Sequence, residues 1–438
     1  MAFLGITHLR IKNLTIFPLN GKRPISISNS TAEMDYFESI LEPTITMSIN
    51  LFNSHSLFNE IPIRGGEKVE IELEVDSNKW IKDIPKSFSL EGDNAMYVYK
   101  VSDVSASKAK ELLTIHLVSK EYFMNEQSKC LKKYQSHNIS VHVKDILKNI
   151  LQTKKDYDKN IEDTSNKYSF YGGNRKPFHV LQWLAPKSVS TSPGVKGQSG
   201  KGQQAQGKGT AGFLFYENKD GFHYRSIDEL VSGLGNKKAV WLYRADEIIS
   251  AGKTDNNTKI MKHFMEKNID LRKSLRVGMY NNKTDFYDVD SNEFTTYHYK
   301  LADEIKDKKL ATKEVEAPFA ENSSRYMMRM SDHGITEPFG EMGETGRDHV
   351  DMAKSFARYN LLFTQALNIL VPCNVNLKVG EIIKCTFPRL NAGKASEDDP
   401  EISGYYLIRE LRHHFEPNKN TTSLKLMRDS YGVYGPDN

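Results

Sequence analysis

The stretch that decides the fold is LLFTQALNILVPCNVNLKVGEIIKCTFP, residues 361–388, read together with GYYLIRELRHHF at 404–415 and NTTSLKLMR at 420–428. Leu361, Phe363, Leu367, Ile369 and Val371 alternate with smaller or polar residues, which is the period of a half-buried strand. A turn at Pro372 to Asn376 leads through Leu377, Val379, Gly380 and Glu381 into a second strand with Ile383, Cys385 and Phe387 inward, and Pro388 ends it. The pattern resumes in Tyr405 to Phe415 and again in Thr421 to Arg428, with Pro417, Asn418 and Asn420 at the turn between them. The result is four strands and no helix.

The same layout occurs earlier, between Thr44 and Ser119. Ile45, Met47, Ile49 and Leu51 interleave with Thr44, Thr46, Ser48 and Asn50, so one face is buried. Gly66 and Glu67 stand to Val69, Ile71 and Leu73 as Gly380 and Glu381 stand to Ile383, Cys385 and Phe387, at a constant offset of 314. From Val98 onward the offset becomes 309, pairing Val98 with Leu407, Lys100 with Arg409, Ile115 with Leu424, Leu117 with Leu426 and Tyr122 with Tyr431. Any two antiparallel meanders share alternation and turns. The repeated turn glycine and the gap-free run to Tyr122 favour a true duplication.

At 438 residues the chain is too long for one core and predicts several domains. A net charge of +4 forces no nucleic-acid-binding surface, so partners have to be argued from elsewhere. The N-terminus lacks the continuous apolar core of a signal peptide and no run approaches a membrane span, so no membrane insertion is expected. Cys130, Cys373 and Cys385 form neither a disulfide framework nor a zinc pattern, and Cys385 holds an apolar slot of the repeat. Cys373 and Cys385 could face each other across neighbouring strands, but the apolar slot makes a small buried hydrophobe the reading.

In chain order, Gly5 to Phe17 reads as a strand. Glu33 to Leu41 reads as a short helix with Met34, Phe37 and Leu41 on one face, ended by Pro43. With the repeat strands these make a small antiparallel barrel, residues 1–125, whose outer stripe of Glu70, Glu72 and Glu74 is either solvated surface or a lumen lining. Residues 126–267 change character. Ile139, Val143, Ile146, Leu147 and Ile150 mark an amphipathic helix, Gly172-Gly173 a turn, Pro177 the opening of a helical segment with Phe178, Leu181, Trp183 and Leu184, and Gly212 to Ile227 a hairpin about Asp220-Gly221. Ser188 to Gly212 has no apolar periodicity and seven glycines from Gly194 on, and reads as a mobile loop. In 268–438, Leu271 to Tyr280 and Glu293 to Leu301 would open a second barrel. An irregular passage covers Ala302 to Gly346, and a helix from Asp348 to about Asn360 presents Val350, Ala353, Phe356 and Ala357 on one face. The fold class is therefore β-rich (α+β), with two antiparallel β-barrel domains joined by a mixed α/β middle domain.

No catalytic signature emerges. The Gly-Lys-Thr at Gly252 to Thr254 has Glu247 where a phosphate loop needs its first glycine, and Gly340, Gly343 and Gly346 follow no suitable strand. His413 and His414 are adjacent on a strand and so point to opposite faces; they read as satisfied surface histidines. The carboxylates are scattered, and Lys196, Lys201 and Lys208 lack interleaved aromatics. No catalytic, cofactor-binding or metal-binding residue is assigned, and the chain is read as non-enzymatic.

The blocks YSFYGGNRKPFHVLQWLAPKS (168–188), GFLFYENKDGFHYRSID (212–228), LNILVPCNVNLKVGEIIKCTFP (367–388), SGYYLIRELRHHF (403–415) and SLKLMRDSYG (423–432), in this order, resemble the baseplate hub of contractile-tailed bacteriophages. The hub half of type VI secretion spike proteins is a more distant relative. The resemblance implies tail-tube-like barrels and a homotrimer that adapts a sixfold tail tube to a threefold central spike. It also implies partners among the tail tube, spike, baseplate wedge and tape-measure proteins, DNA passing through the lumen without specific binding, and a place in the virion tail after assembly in the host cytoplasm. With Asn438 following the second barrel closely, spike and cell-wall cleavage are expected on other chains. The glycine-rich loop 188–212 is not part of the family pattern. The rival readings are a contractile secretion or injection hub and a tail-associated cell-wall hydrolase, and lysis of peptidoglycan in a zymogram would favour the last.

The face assignment is testable on its own. A carboxylate buried without a partner costs several kcal/mol. Ile71→Asp and Ile383→Asp are each expected to yield insoluble or unfolded chain, and Glu72→Gln a native circular-dichroism spectrum; a well-folded aspartate variant at either site would refute the inward set.

Overall fold

Ile45, Met47, Ile49, Leu51, Val69, Ile71, Leu73, Ile383 and Cys385 are all at most 1% exposed, so the alternation read in both copies is the inward face of real strands. The computed structural model describes residues 8–431 except 20, 22, 54–62, 77–86, 107–110, 136, 192–210, 233–240, 246–257, 267–269, 290–291, 305–318, 320, 332–347, 390–397 and 418. The glycine trio 340–346, the Gly-Lys-Thr at 252–254 with Glu247, and Lys196, Lys201 and Lys208 lie outside the described residues, as does most of the glycine-rich loop.

The first run of strands is β1 (His8–Phe17), β2 (Ile25–Ser26), β3 (Thr31–Ser39), β4 (Thr46–Asn53), β5 (Lys68–Asp76), β6 (Ser87–Leu90), β7 (Met96–Ala106) and β8 (Glu111–Ser119). Then come α1 (Lys120–Gln127), β9 (Lys133–Tyr134), α2 (Ile139–Asp145) with a π-helical turn through Ile150, β10 (Phe170–Tyr171), α3 (Pro177–Leu184), the hairpin β11 (Phe213–Asn218) and β12 (Gly221–Ser226), and α4 (Ile227–Ser232). β13 (Trp241–Arg244) and β14 (Lys262–Glu266) precede α5 (Leu271–Arg276), β15 (Asn281–Asp288), β16 (Glu293–Lys300), α6 (Leu301–Glu304), β17 (Arg325–Ser331) and α7 (Asp348–Leu361). β18 (Gln365–Pro372), β19 (Ile382–Thr386), β20 (Gly404–Phe415) and β21 (Asn420–Arg428) complete the chain.

Four sequence expectations change. Glu33 to Leu41 is strand β3, not a helix: Met34, Tyr36, Glu38 and Ile40 point inward, while Phe37 and Leu41 are 37% and 43% exposed. Two ladders, to β4 and to β20, satisfy its backbone and override the helical spacing. Leu271 to Arg276 is helix α5, because the Asp270 carboxylate accepts the Lys273 backbone N–H at 2.9 Å as an N-cap. β16 does form, but in a separate three-stranded sheet with β15 and β17 that rests on α7, so neither segment opens a barrel; β17 also interrupts the passage expected to be irregular. Finally, the ends of the glycine-rich loop are packed, since Val189 and Ala211 bridge and Ser188, Ser190 and Ala211 are buried.

The duplication holds down to individual hydrogen bonds. In the earlier copy Gly66 donates to the Val98 carbonyl at 2.7 Å and Val98 to the Glu67 carbonyl at 2.9 Å; in the later copy Gly380 donates to Ile408 at 3.0 Å and Ile408 to Glu381 at 2.9 Å. Ile49 faces Ile115 as Ile369 faces Leu424, and Val69 faces Met96 as Ile383 faces Tyr406. The partner of Val98 is thus Ile408, 310 residues on, whereas Leu117 keeps Leu426, 309 on. Both copies carry a β-bulge at the same place, at Tyr99 and Arg409, and the difference is absorbed further along β7, where a second irregularity between Ser102 and Ser105 has no counterpart in β20. The pairing of Val98 with Leu407 read from sequence is therefore one residue out of register.

β20 pairs with β19 at its start and with β3 over Glu410 to Phe415, which joins both copies into one 14-stranded sheet. The apolar core runs beneath both and takes in Leu214, Tyr216, Ile227 and Val231 from the hairpin region. A second core gathers α2, α3 and the other hairpin face. Among the described residues no helix is long and apolar enough to cross a membrane.

Both turn glycines have left-handed backbones, φ +95° at Gly66 and +84° at Gly380, but a Cβ on Gly380 would lie 2.2 Å from the Tyr216 hydroxyl, whereas one on Gly66 meets nothing nearer than 3.6 Å. Gly66→Ala is expected to cost the ~1–2 kcal/mol of a strained backbone. Gly380→Ala should cost clearly more in urea unfolding, because Tyr216 is buried and stacked on His223. Equal losses would show that Tyr216 can step aside.

Candidate assembly surfaces

The first notable site is a joint. Glu38 points inward from β3 and its carboxylate accepts the Tyr36 hydroxyl at 2.8 Å, the Lys219 backbone N–H at 2.9 Å and the Val379 backbone N–H at 3.0 Å. These donors belong to the earlier copy, the hairpin turn and the loop before β19. Glu217 on β11 makes a second joint. Its carboxylate accepts the Ile45 N–H at 3.1 Å and the Ser119 hydroxyl at 2.6 Å and pairs with buried Lys155, which also reaches Glu121 at 3.4 Å. Arg358 on α7 makes a third, to Asp228 at 3.2 Å and Asp429 at 2.7 Å, all nearly fully buried. Buried charges survive only when paired and hydrogen-bonded, so these contacts hold the units at set angles.

On the outer face of the seam, Arg412 of β20 grips Asp35 of β3 with two bonds of 2.8 and 2.9 Å, and His414 lies between Asp35 and Glu416 at 2.7 Å from each. Burial lowers the His414 pKa, but its bonds to Glu416 and Asp35 outweigh that and raise it overall. Glu33, His414 and Glu416 bring ligand atoms within 4.8 Å of one another. Both imidazole nitrogens of His414 are already engaged, and the arrangement reads as an ion-pair cluster stitching β20 to β3. His413 does point the other way, as expected of neighbours on a strand. It is not a surface histidine, however: it is 1% exposed, bonds Thr422 at 2.8 Å and stacks on Tyr36, and burial, helped by Lys219, drives its pKa down to about 3.

The stripe of Glu70, Glu72 and Glu74 is not bare acid. Lys68 meets Glu70 at 2.6 Å, Lys12 lies 3.5 and 3.8 Å from Glu72 and Glu74, and Arg10 is the cross-strand partner of Glu74. Three cations offset three carboxylates, so a strongly negative lumen wall from this stripe is not supported. More distinctive is the small sheet, where Tyr326, Met328 and Met330 alternate outward on β17, each 68–70% exposed; Met330 shares a row with Tyr287 and Phe294, while Tyr326 and Met328 lie opposite Lys283 and Asp285. Apolar groups clustered on one face mark interaction surfaces. The three cysteines are all free and buried, as read.

Sequence reasoning missed the joints because each unites residues far apart in the chain. The one legible signal was an acidic residue at an inward position, Glu38 between Tyr36 and Ile40, and it was lost when the segment was read as a helix.

No family model matches the chain. It is 20% identical over 426 residues to the "Probable baseplate hub protein gp334" of Vibrio phage KVP40, covering 92% of this chain and 91% of that protein. The tail protein from Neisseria meningitidis MC58 superposes with a TM-score of 0.53 at 11% identity, over 95% of this chain and 96% of that one. The prophage MuSo2 43 kDa tail protein from Shewanella oneidensis gives 0.51 at 8% identity, over 96% and 99%. The fold is thus that of phage tail proteins along nearly its full length.

Burial is the main cause that lifts the Glu38 pKa from 4.5 to about 7, against the hydrogen bonds from Val379, Tyr36 and Lys219 that pull it down. The folded chain keeps this proton at pH values where the unfolded chain has released it. The group's contribution to stability is therefore full below about 4.5 and lost as pH rises through about 7, on the order of 3 kcal/mol across the window. Glu38→Gln, which cannot ionise, is expected to show a shallower fall in melting temperature from pH 5 to pH 8 than the parent chain. Parallel pH profiles for the two would place the titration elsewhere.

Proposed function

We propose that this chain is the structural hub of a contractile-tail baseplate. Three copies ring the tail axis, adapt a sixfold tail tube to a threefold central spike and leave a channel through which DNA passes without specific binding. The observation that carries the reading is the duplication, repeated rung for rung, in a chain similar over most of its length to a baseplate hub protein. A subunit with two like units presents six quasi-equivalent units when three subunits close as a ring. One rim then matches a sixfold tube, while the unlike parts of each subunit repeat three times on the other.

In this reading residues 1–125 and 268–438 carry the two tube-like units, and residues 126–267 connect them and lend β13 and β14 to the later one. Tail tube and spike are the axial partners, and wedge and tape-measure proteins the lateral and internal ones. The exposed Tyr326, Met328 and Met330 face is one surface for such contacts. The role is architectural and not enzymatic, which suits a geometry held by buried ion pairs far better than it suits a cleft.

Multi-angle light scattering is expected to give the mass of three 50.0 kDa chains, and a cryo-EM map of the tail three copies about the axis, each with two superposable barrels. A tail map with any other copy number would overturn the proposal.

A further inference from the structure

The contact that joins the two copies uses one edge from each, and each copy owns both kinds of edge. The far half of β20 pairs with β3, from Glu410 opposite Ser39 to Phe415 opposite Met34. By the repeat, β20 corresponds to β7. The counterpart of β3 is β14, because Met34 faces Ile49 on β4 and His263 faces Ile369 on β18, while Ile49 and Ile369 are themselves equivalent. Yet among the described residues β14 is the terminal strand of the sheet, and β7 pairs with β5 only at Tyr97 and Met96. Each chain therefore carries, at its two extremes, the same two edges that its own copies join in the middle.

We infer that a second copy of this chain covers them: β7 beyond Lys100 in one protomer pairs antiparallel with β14 of the next, repeating the ladder between β20 and β3. This rests on the ring proposed above. The register follows from the page. One extra residue between Ser102 and Ser105 of β7 has no counterpart in β20, which sets Ser105 opposite Phe264 and Ala106 opposite His263. The direction of the donors follows too. Ile40 gives its backbone N–H to Arg409 at 3.0 Å, so alternate residues of β3 back to Met34 face β20, and the equivalents on β14 are Met265 and His263.

Physical chemistry favours the pairing. An edge strand exposes a row of backbone donors and acceptors and is ordinarily blunted or covered. β14 is not blunted by proline, and Phe264 is 65% exposed on it. The two edges are unlike and belong to the same chain, so the contact is head-to-tail, the kind that closes into a ring.

The test is the pair Ser105→Cys and Phe264→Cys in one chain, oxidised in assembled tails and in the purified protein, with a non-reducing gel as the readout; the three native cysteines are buried and give little background. A covalent ladder ending at three chains is expected, with neither single variant forming it. His263→Pro, which removes an outward donor, is expected to abolish the three-chain mass while leaving the protomer's melting temperature within about 2 °C, since proline is tolerated on strand edges. A three-chain mass without the disulfide, or unchanged by His263→Pro, would overturn the strand pairing and leave the ring standing. Tails without three copies would overturn both, and a disulfide from position 264 to a different protein would overturn the choice of occupant.

Discussion

The structure depends on one buried carboxylate in a place where hydrophobic residues would ordinarily sit. Glu38 is inward on β3, with Tyr36 and Ile40 on either side, and it accepts bonds from three separate stretches of chain. Backbone N–H groups left unbonded in a core cost about as much as a lost hydrogen bond each. Lys219 and Val379 would both be left so if β3 moved by one residue. The carboxylate therefore sets the register of β3 against the hairpin turn and against the glycine turn before β19, and through β3 the register of the whole seam with β20.

The other two joints obey the same logic. Glu217 and Lys155 lock the hairpin to the ends of β4 and β8, and Arg358 locks α7 to α4 and to the residue after β21. Such pairs return little net stability compared with well-packed apolar groups. What they supply is direction. The apolar core alone, which runs without a break beneath both copies, would tolerate small slides between units; a charge bonded on several sides does not.

Much of the fold was legible because period-two alternation survives in Ile45 to Leu51, in Val69 to Leu73 and in Ile383 to Phe387, where one side is core and the other solvent. The repeat was legible through glycines that need φ near +90°. What failed, failed for local reasons. An extra residue between Ser102 and Ser105 of β7, without a counterpart in β20, makes the offset differ between β7 and β8, so a single offset carried back from β8 misplaces Val98 and Lys100 by one residue. β3 hid because its third inward residue is charged and two outward ones, Phe37 and Leu41, are apolar. β13 and β14 were illegible because a strand of four or five residues bearing Trp241, Lys262 and Glu266 has no clear polar face, and its partners lie far away in the chain, Trp241 opposite Ile383 and Lys262 opposite Leu370. The joints were invisible for the same reason of distance.

The two copies are equal where they meet and unequal where they close. β1 runs antiparallel to β5 and β13 runs parallel to β19, yet Leu14 and Tyr243 lie opposite equivalent positions, Ile71 and Cys385, and both are buried. The earlier copy takes this strand from the N-terminus, the later one from the middle of the chain. A parallel strand needs a long crossover. That crossover is the reason the middle segment cannot be cut away from the later copy without opening it. The middle segment is thereby part of the later copy's sheet through β13 and β14, while its hairpin packs into the core shared with the earlier copy. In the proposed ring, an asymmetry of that kind would let like edges repeat six times while unlike parts repeat three times.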